Sequence, residues 1–394
     1  MMIKNVINLV FIGLLFFSSL VIAEDYPVIN SNAILSSEYL SSTYHRIDSI
    51  EINNEFYRFI VESDIGRYNI HSLALLKKRV NEIKTISRAI NVYQQENEEF
   101  SGELRSQLSI SSDSAVDLIT RPLSSATNLA GQLAGNLNAT LAGEDAFVYR
   151  TDGRPSYEPK DPTTATHKRN IAFQLGLDIY TNNSRAQSFL NTVATARSSG
   201  KVSAGVGLSN AIRDVDEMDL KVKFLMKKMT LAELNYHNTE WLTKTGVKPA
   251  LVKQFIAYSG LSPTNKTIIA AYFSKLDSVA GLDSFIKLSL SANSELQASL
   301  FERLSKTLWD YHTNRERLSR ISNYNGYITA VTNSGNIIFF ETADLFIWSE
   351  LKQQQYEASA NYAKESGYKN WSLVSLGQLS SLAREKMKAL AFQL

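Results

Sequence analysis

The chain has 394 residues, with 41 Lys and Arg against 39 Asp and Glu, which gives a formal net charge of +2. It contains no cysteine, and this excludes disulfides, thiol catalysis, thiolate zinc sites and iron–sulfur clusters. Its composition, 44% hydrophobic and 20% charged, is typical of a globular protein. Because the basic residues are scattered among acidic ones, we predict no nucleic-acid partner.

Residues 1–23 have the pattern of a secretory signal peptide. A short leading region carries Lys4, residues 6–17 are almost wholly apolar, and Val21-Ile22-Ala23 precedes a cleavage position at Glu24. The apolar stretch is shorter than the roughly 20 residues that a membrane span needs, which favours a cleaved signal over an anchor. We therefore expect an exported protein, periplasmic or envelope-associated in a Gram-negative bacterium.

Residues 24–100 predict a small antiparallel sheet covered by a long helix. After a polar, extended lead-in to residue 43, three strands are predicted, over residues 49–53, 56–61 and 67–71. Ser72 is placed as a helix N-cap, and apolar residues recur every three or four positions from Leu73 to Tyr93. That spacing gives the helix one apolar face, which we expect to pack on the sheet.

Residues 101–162 combine an amphipathic segment rich in Gly, Ala and Leu with a linker that contains three prolines. Within the segment, leucines recur every four residues and two glycines form G-x-x-x-G: Leu129, Leu133, Leu137 and Leu141, with Gly131 and Gly135. Small residues at that spacing allow close approach, so we predict that these six residues contact an envelope protein or a membrane surface. Two other interpretations stay open, a helix packed inside the protein's own fold and a mobile linker, because the polar face has no Lys or Arg to attract anionic lipid.

Residues 163–325 predict a series of helices with short connections. Gly176 ends one helix, Thr230 and Glu233 form a capping box, and Pro249 and Pro263 stand where helices begin. Short connections favour antiparallel neighbours, so we expect an array of helical hairpins.

Residues 326–394 predict a small α/β module. Strands over residues 327–332 and 337–341 flank Asn333-Ser334-Gly335-Asn336, which is typical of a hairpin turn. A helix, a strand and a second helix follow, over residues 343–366, 371–376 and 379–392, and this ββαβα order indicates a βαβ crossover. The predicted fold class is therefore mainly α with minor β: N-terminal sheet and long helix, central helical-hairpin array, and C-terminal ββαβα module. The predicted divisions are residues 1–23, 24–100, 101–162, 163–325 and 326–394.

Several motifs of established chemistry are missing from the chain. It has no G-x-S-x-G, no phosphate-binding P-loop and no G-x-G-x-x-G, and no two histidines have metal-ligand spacing on a helix, so we predict no metal and no cofactor. His312 and Glu316 lie one helical turn apart and are the weak candidates for a catalytic pair. The alternative interpretation is an ordinary surface contact between the two side chains.

Four stretches resemble a family of uncharacterised exported bacterial proteins. They are Thr120-Arg121-Pro122, His167-Lys168-Arg169 leading into residues 175–183, residues 246–255, and residues 261–267. The resemblance covers most of the chain after the signal. It implies a signal peptide, a helical middle and no established activity, and it assigns no catalytic residue.

Two functions follow as expectations. The first is a non-enzymatic cell-envelope protein that binds or scaffolds another component, and the second is a periplasmic hydrolase whose site is assembled from distant residues. A concave pocket gathering His312 with carboxylates would favour the hydrolase, and a flat apolar patch over residues 129–141 would favour the binding protein.

Overall fold

The computed structural model describes residue 26 and residues 29–110, 157–203 and 217–394. Helices account for 56% of the structure and strands for 18%, which confirms the mainly α fold with minor β. Within the described ranges, no helix combines the length and the apolar character needed to cross a membrane. The signal segment and the six predicted contact residues between Leu129 and Leu141 lie outside the described residues.

The N-terminal sheet is a meander of three strands, β1 (His45–Asn53), β2 (Phe56–Ser63) and β3 (Gly66–His71), each antiparallel to the next. The helices of this part are α1 (Ser31–Ile34), α2 (Ser37–Leu40), α3 (Leu73–Glu96) and α4 (Glu98–Ile110). Ser72 caps α3, because its side chain accepts a hydrogen bond from the N–H of Leu75 at 3.3 Å. The apolar face of α3 is fully buried through Val80, Ile83 and Ile90, as the sequence predicts for a long helix on a small sheet.

The central part consists of helices with short connections. They are α5 (Pro162–Leu175), α6 (Ser184–Ser198), α7 (Glu217–Lys228), α8 (Leu231–Lys244), α9 (Pro249–Ala257), α10 (Pro263–Phe273), α11 (Leu282–Ser289) and α12 (Glu295–Asn314). Both hydrogen bonds of the predicted capping box at Thr230 and Glu233 are present. Pro249 and Pro263 are the first residues of α9 and α10, and Gly176 ends α5 in the left-handed conformation, with φ of 67°.

The C-terminal part is built on a five-stranded sheet of order β10-β8-β6-β5-β4. Its strands are β4 (Leu318–Tyr324), β5 (Tyr327–Thr332), β6 (Ile337–Glu341), β8 (Trp371–Ser375) and β10 (Phe392–Gln393), while β7 (Leu345–Phe346) and β9 (Gln378–Leu379) form a separate pair. Helices α13 (Glu350–Glu365) and α14 (Ser381–Ala389) complete it. Strands β6 and β8 are parallel and joined through α13, which is the βαβ crossover that the sequence predicts.

Several features of this part differ from the sequence prediction, among them β9 and β10, which lie at the two ends of the range expected to be one helix, residues 379–392. The helix expected from residue 343 begins at Glu350, because residues 343–348 are buried and extended and β7 among them pairs with β9. Strand β4 lies in the range expected to be helical. It pairs with β5 and buries Leu318 and Ile321, contacts that its largely polar sequence does not signal.

The C-terminal part is attached to the N-terminal sheet through buried charged groups. The carboxylate of Asp344 accepts hydrogen bonds from the backbone N–H of Leu73 at 2.8 Å and of Tyr57 at 3.3 Å. Lys352 lies 2.7 Å from Glu341 and 3.0 Å from Glu55. Burial raises the pKa of Asp344 to about 6 and that of Glu55 to about 6.

Buried apolar side chains on both sides of residues 153–162 belong to one cluster. Phe59 of β2 and Ile83 of α3 share it with Phe189 of α6 and Tyr272 of α10, and all four side chains are fully buried. The N-terminal sheet, α3 and the central helices therefore meet around a common core. A cleft opens where α3 faces the central helices.

Candidate functional site

The cleft has a volume of about 810 Å³ and is lined by α3, α5, the α5–α6 connection, α7, the first turns of α10, and α12. Sites for small molecules typically measure about 300–1,000 Å³. Its volume is therefore sufficient for a small organic ligand. Most of its polar lining consists of charged side chains, and their pairing determines what the cleft can hold.

One end of the cleft rests on a network of buried charges. Arg79 lies 2.5 Å from Glu82 and 2.6 Å from Glu295, so that one guanidinium joins α3 to the first turn of α12. Glu82 also accepts hydrogen bonds from the hydroxyl of Thr181 at 2.7 Å and the amide of Asn183 at 2.8 Å. Burial acts to raise the pKa of Glu82, but the nearby cations and these hydrogen bonds lower it below its ordinary value.

Lys78 extends this network to the α5–α6 connection. Its Nζ lies 3.2 Å from Oδ2 of Asp178 and 3.9 Å from Oε1 of Glu295. The other oxygen of Asp178 accepts from the hydroxyl of Thr264 at 2.5 Å and the N–H of Tyr180 at 2.9 Å. Burial acts to lower the pKa of Lys78, but the neighbouring carboxylates raise it above its ordinary value, so the amine stays charged. We call Lys78, Arg79, Glu82, Asp178 and Glu295 the buried charge network, in which the Lys78 side chain at the edge keeps 35% of its surface exposed.

Two further carboxylates line the cleft from α7 and α12. Asp219 is paired, since it lies 3.3 Å from Nζ of Lys306 and accepts from the hydroxyl of Tyr272 at 3.1 Å. Glu302 accepts one hydrogen bond, from the amide of Asn265 at 2.7 Å, and forms no ion pair within the described residues. Burial raises the pKa of Glu302, so this carboxyl takes up a proton at a higher pH than an exposed glutamate does.

Five basic side chains line the cleft without forming an ion pair to any described carboxylate. These unpaired bases are Lys84, Arg88, Lys223, Lys227 and Arg303. Lys84 donates to the backbone oxygen of Glu38 at 2.7 Å, and Nζ of Lys227 lies 4.4 Å from the ring centroid of Phe173.

Lys223 and Arg303 are the more enclosed of the unpaired bases. Arg303 donates through Nη2 to the backbone oxygen of Leu376 at 2.9 Å, while its buried Nη1 has no hydrogen-bond partner among the described residues. Burial lowers the pKa of Lys223 below its ordinary value, despite the neighbouring Asp219. Cationic groups that lack partners inside the protein are available to an anionic ligand.

The predicted catalytic candidates His312 and Glu316 lie outside the cleft lining. Nδ1 of the buried His312 accepts from the N–H of Leu318 at 3.0 Å, and Nε2 lies 2.8 Å from Arg317. Burial and the nearby Arg317 lower the pKa of His312. Glu316 accepts from the N–H of Ser334 at 3.3 Å in the β5–β6 turn. These contacts tie the end of α12 to the C-terminal sheet, and a catalytic role for the pair stays a prediction.

Sequence reasoning did not find the cleft, because its side chains come from segments far apart in the chain. Two of the stretches that the sequence analysis named, residues 175–183 and 261–267, both line it. They meet there directly through the hydrogen bond from Thr264 to Asp178. The prediction that residues 129–141 contact a partner concerns positions outside the described residues.

No three His, Asp or Glu side chains within the described ranges are placed to hold a metal ion together. Searches of protein-family models, of curated proteins and of solved structures return no match for this chain. The function is therefore argued from the cleft itself.

Proposed function

We propose that the protein is a non-enzymatic binding protein of the cell envelope and that the cleft holds a small-molecule ligand. The observation that carries this proposal is the cleft of about 810 Å³ whose charged walls are already fixed by buried partners. Placement in the envelope rests on the secretory pattern of residues 1–23. The family resemblance also implies an exported protein.

The buried charge network supports binding because it holds the cleft walls in place without a ligand. Arg79 and Lys78 together connect α3, α12 and Asp178 of the α5–α6 connection through ion pairs of 2.5–3.9 Å. A site that is already ordered loses less conformational entropy when a ligand binds, which raises affinity. A contact between residues 129–141 and an envelope partner is compatible with this function and stays a separate prediction.

The test is to fill the cleft without touching the charge network. Ser299 lines the cleft from α12, and its hydroxyl donates to the carbonyl of Leu296 in the same helix. Ser299→Trp places an indole in the cleft, while Thr313→Trp places one at an exposed position of the same helix. Thermal unfolding is measured for both variants and the native chain with uncharged sugars, amino acids, polyamines, organic acids and phosphate esters.

A ligand that occupies the cleft raises the unfolding midpoint of the native chain and of Thr313→Trp but not of Ser299→Trp. The proposal fails if no compound distinguishes Ser299→Trp from the other two proteins. Calorimetric titration then gives the affinity of the compounds that do.

A hydrolase is the second candidate, and Glu302 is the observation that favours it. A carboxyl group in a cleft whose pKa is raised by burial has the property that a general acid needs. The test is mass spectrometry of any bound compound after prolonged incubation with the native chain and with Glu302→Gln. Hydrolysis would be established if products form with the native chain and not with Glu302→Gln. A compound that stays intact with both proteins supports binding.

A further inference from the structure

The carboxylates and the basic groups that line the cleft are paired to different extents. Each carboxylate except Glu302 has a cation within 4 Å: Lys78 pairs with Asp178, Lys306 with Asp219, and Arg79 with both Glu82 and Glu295. On the basic side, five groups have no carboxylate partner in the described chain. Counted over the described residues, the cleft without a ligand thus has an excess of positive charge, which solvent ions or a bound molecule can compensate.

From this imbalance we infer that the ligand of the cleft is a small polyanion, a molecule carrying two or more phosphate or carboxylate groups. The inference rests on the proposed binding function and specifies its ligand class. Among the described lining residues, a cationic ligand finds one carboxylate without an ion pair, Glu302. An uncharged ligand would leave all five unpaired bases without an ion-pair partner among the described residues.

The positions of the unpaired bases indicate more than one acidic group. Lys84 and Arg88 are four residues apart on α3, and Lys223 and Lys227 are four residues apart on α7. Side chains at that spacing are neighbours on one helix face, about 5–6 Å apart at Cβ, and like charges there repel each other. An acidic group bound between the members of each pair removes this repulsion. Two such pairs on two helices therefore favour a ligand with at least two acidic groups.

Arg303 supplies a third, more enclosed contact from α12. Its buried Nη1 finds no acceptor in the part of the chain that the structure describes, which is costly for a guanidinium group unless a ligand oxygen accepts from it. The adjacent Glu302 is the one lining carboxylate that opposes an anion, and it does so only when it is ionised. Lys223→Gln and Glu302→Gln should therefore change polyanion affinity in opposite directions.

The test uses phosphate, tripolyphosphate, citrate, spermidine and glucose as probes at constant ionic strength, with the affinity measured by calorimetric titration. We expect tripolyphosphate and citrate to bind the native chain more tightly than phosphate does. Each lost charge-assisted contact weakens binding by about tenfold, so the double variant Lys223→Gln/Lys227→Gln should lose about 100-fold. The charge-matched control Lys253→Gln/Lys364→Gln removes two exposed lysines outside the cleft and should bind as the native chain does.

Glu302→Gln should bind tripolyphosphate more tightly than the native chain, by up to about tenfold, because the opposing charge is removed. Circular dichroism and thermal unfolding without probes confirm that each variant is folded.

The inference is wrong if both double variants weaken polyanion binding equally, because the effect is then one of overall charge. The inference is also wrong if the polyanions do not bind while spermidine or glucose does and Ser299→Trp blocks that binding. In that case the binding function stands, with a ligand of another class. If Ser299→Trp changes the binding of no probe and of no compound in the wider panel, the binding function fails as well.

Discussion

Removal of the Asp344 carboxylate tests how the C-terminal part is attached to the N-terminal sheet. In Asp344→Ala, the N–H groups of Tyr57 and Leu73 lose their acceptor in a buried place, and each unsatisfied group costs about 1–3 kcal/mol. With two such groups, the variant should therefore lose about 2–6 kcal/mol of unfolding free energy. Asp344→Asn keeps an acceptor oxygen at the same position and should lose much less.

The same pair of variants has a distinct pH dependence. Burial raises the pKa of Asp344 from 3.8 to about 6, so the folded chain holds this proton more tightly than the unfolded chain does. The stabilisation is complete below pH 3.8 and is lost as the pH rises through 6, a change of about 3 kcal/mol at about 1.4 kcal/mol per pKa unit. Asp344→Asn cannot ionise, so its stability relative to the native chain should rise between pH 4.5 and pH 7.5.

Urea denaturation followed by circular dichroism at intervals across that pH range measures both effects. Comparing each variant with the native chain at every pH cancels the contributions of other groups that titrate in the same range, such as Glu55. Equal losses in Asp344→Ala and Asp344→Asn would show that the two N–H groups do not depend on the carboxylate. A pH-independent difference between Asp344→Asn and the native chain would contradict the raised pKa.

Three further predictions concern the charge network, a close backbone approach and export. Arg79→Met removes the cation between two buried carboxylates and should lower the unfolding free energy, measured by urea denaturation, by about 3–5 kcal/mol. Arg88→Met, at an exposed position of the same helix, should stay within about 0.5 kcal/mol of the native chain. Similar losses in the two variants would contradict the role of the ion pairs. Gly281 and Gly367 both have positive φ, 79° and 76°, but a Cβ would lie 2.1 Å from a backbone oxygen only at Gly281. Gly367→Ala should therefore cost about 1–2 kcal/mol and Gly281→Ala more, and equal shifts in thermal unfolding would refute the clash. Expressed with its own leader, the chain should be recovered from the periplasm with Glu24 as its first residue, and N-terminal sequencing that begins at Met1 would overturn the export prediction.

The parts of the fold that the sequence predicts well are those determined by residues close together in the chain. The caps at Ser72 and Thr230 depend on backbone groups three residues away, and the apolar face of α3 is visible as spacing alone. Strands β4, β7, β9 and β10 were missed because their formation depends on partner strands. Leu345, for example, pairs with Gln378, and no local pattern in two residues predicts such a contact.

The candidate site was less predictable than the fold for the same physical reason. Lys78, Asp178 and Glu295 are separated by about a hundred residues each, and each looks like an ordinary charged residue in its own segment. His312 and Glu316 were predicted as a candidate pair because their spacing of four residues is visible in the sequence alone. In the structure they contact the β5–β6 turn and the start of β4. Burial and pairing, which distinguish the cleft, exist only after folding.

The division between paired and unpaired charges determines which variants report on function. Arg79 and Lys78 hold buried carboxylates, so a substitution there removes structure and binding together, and lost binding does not identify a ligand contact. Lys223 and Lys227 neutralise no described carboxylate, so their replacement leaves the fold's ion pairs intact. A loss of affinity in the Lys223/Lys227 variant with unchanged unfolding is therefore direct information on the ligand. If that variant unfolds as readily as Arg79→Met, these lysines support the fold and the assignment of the cleft as an anion site loses its basis.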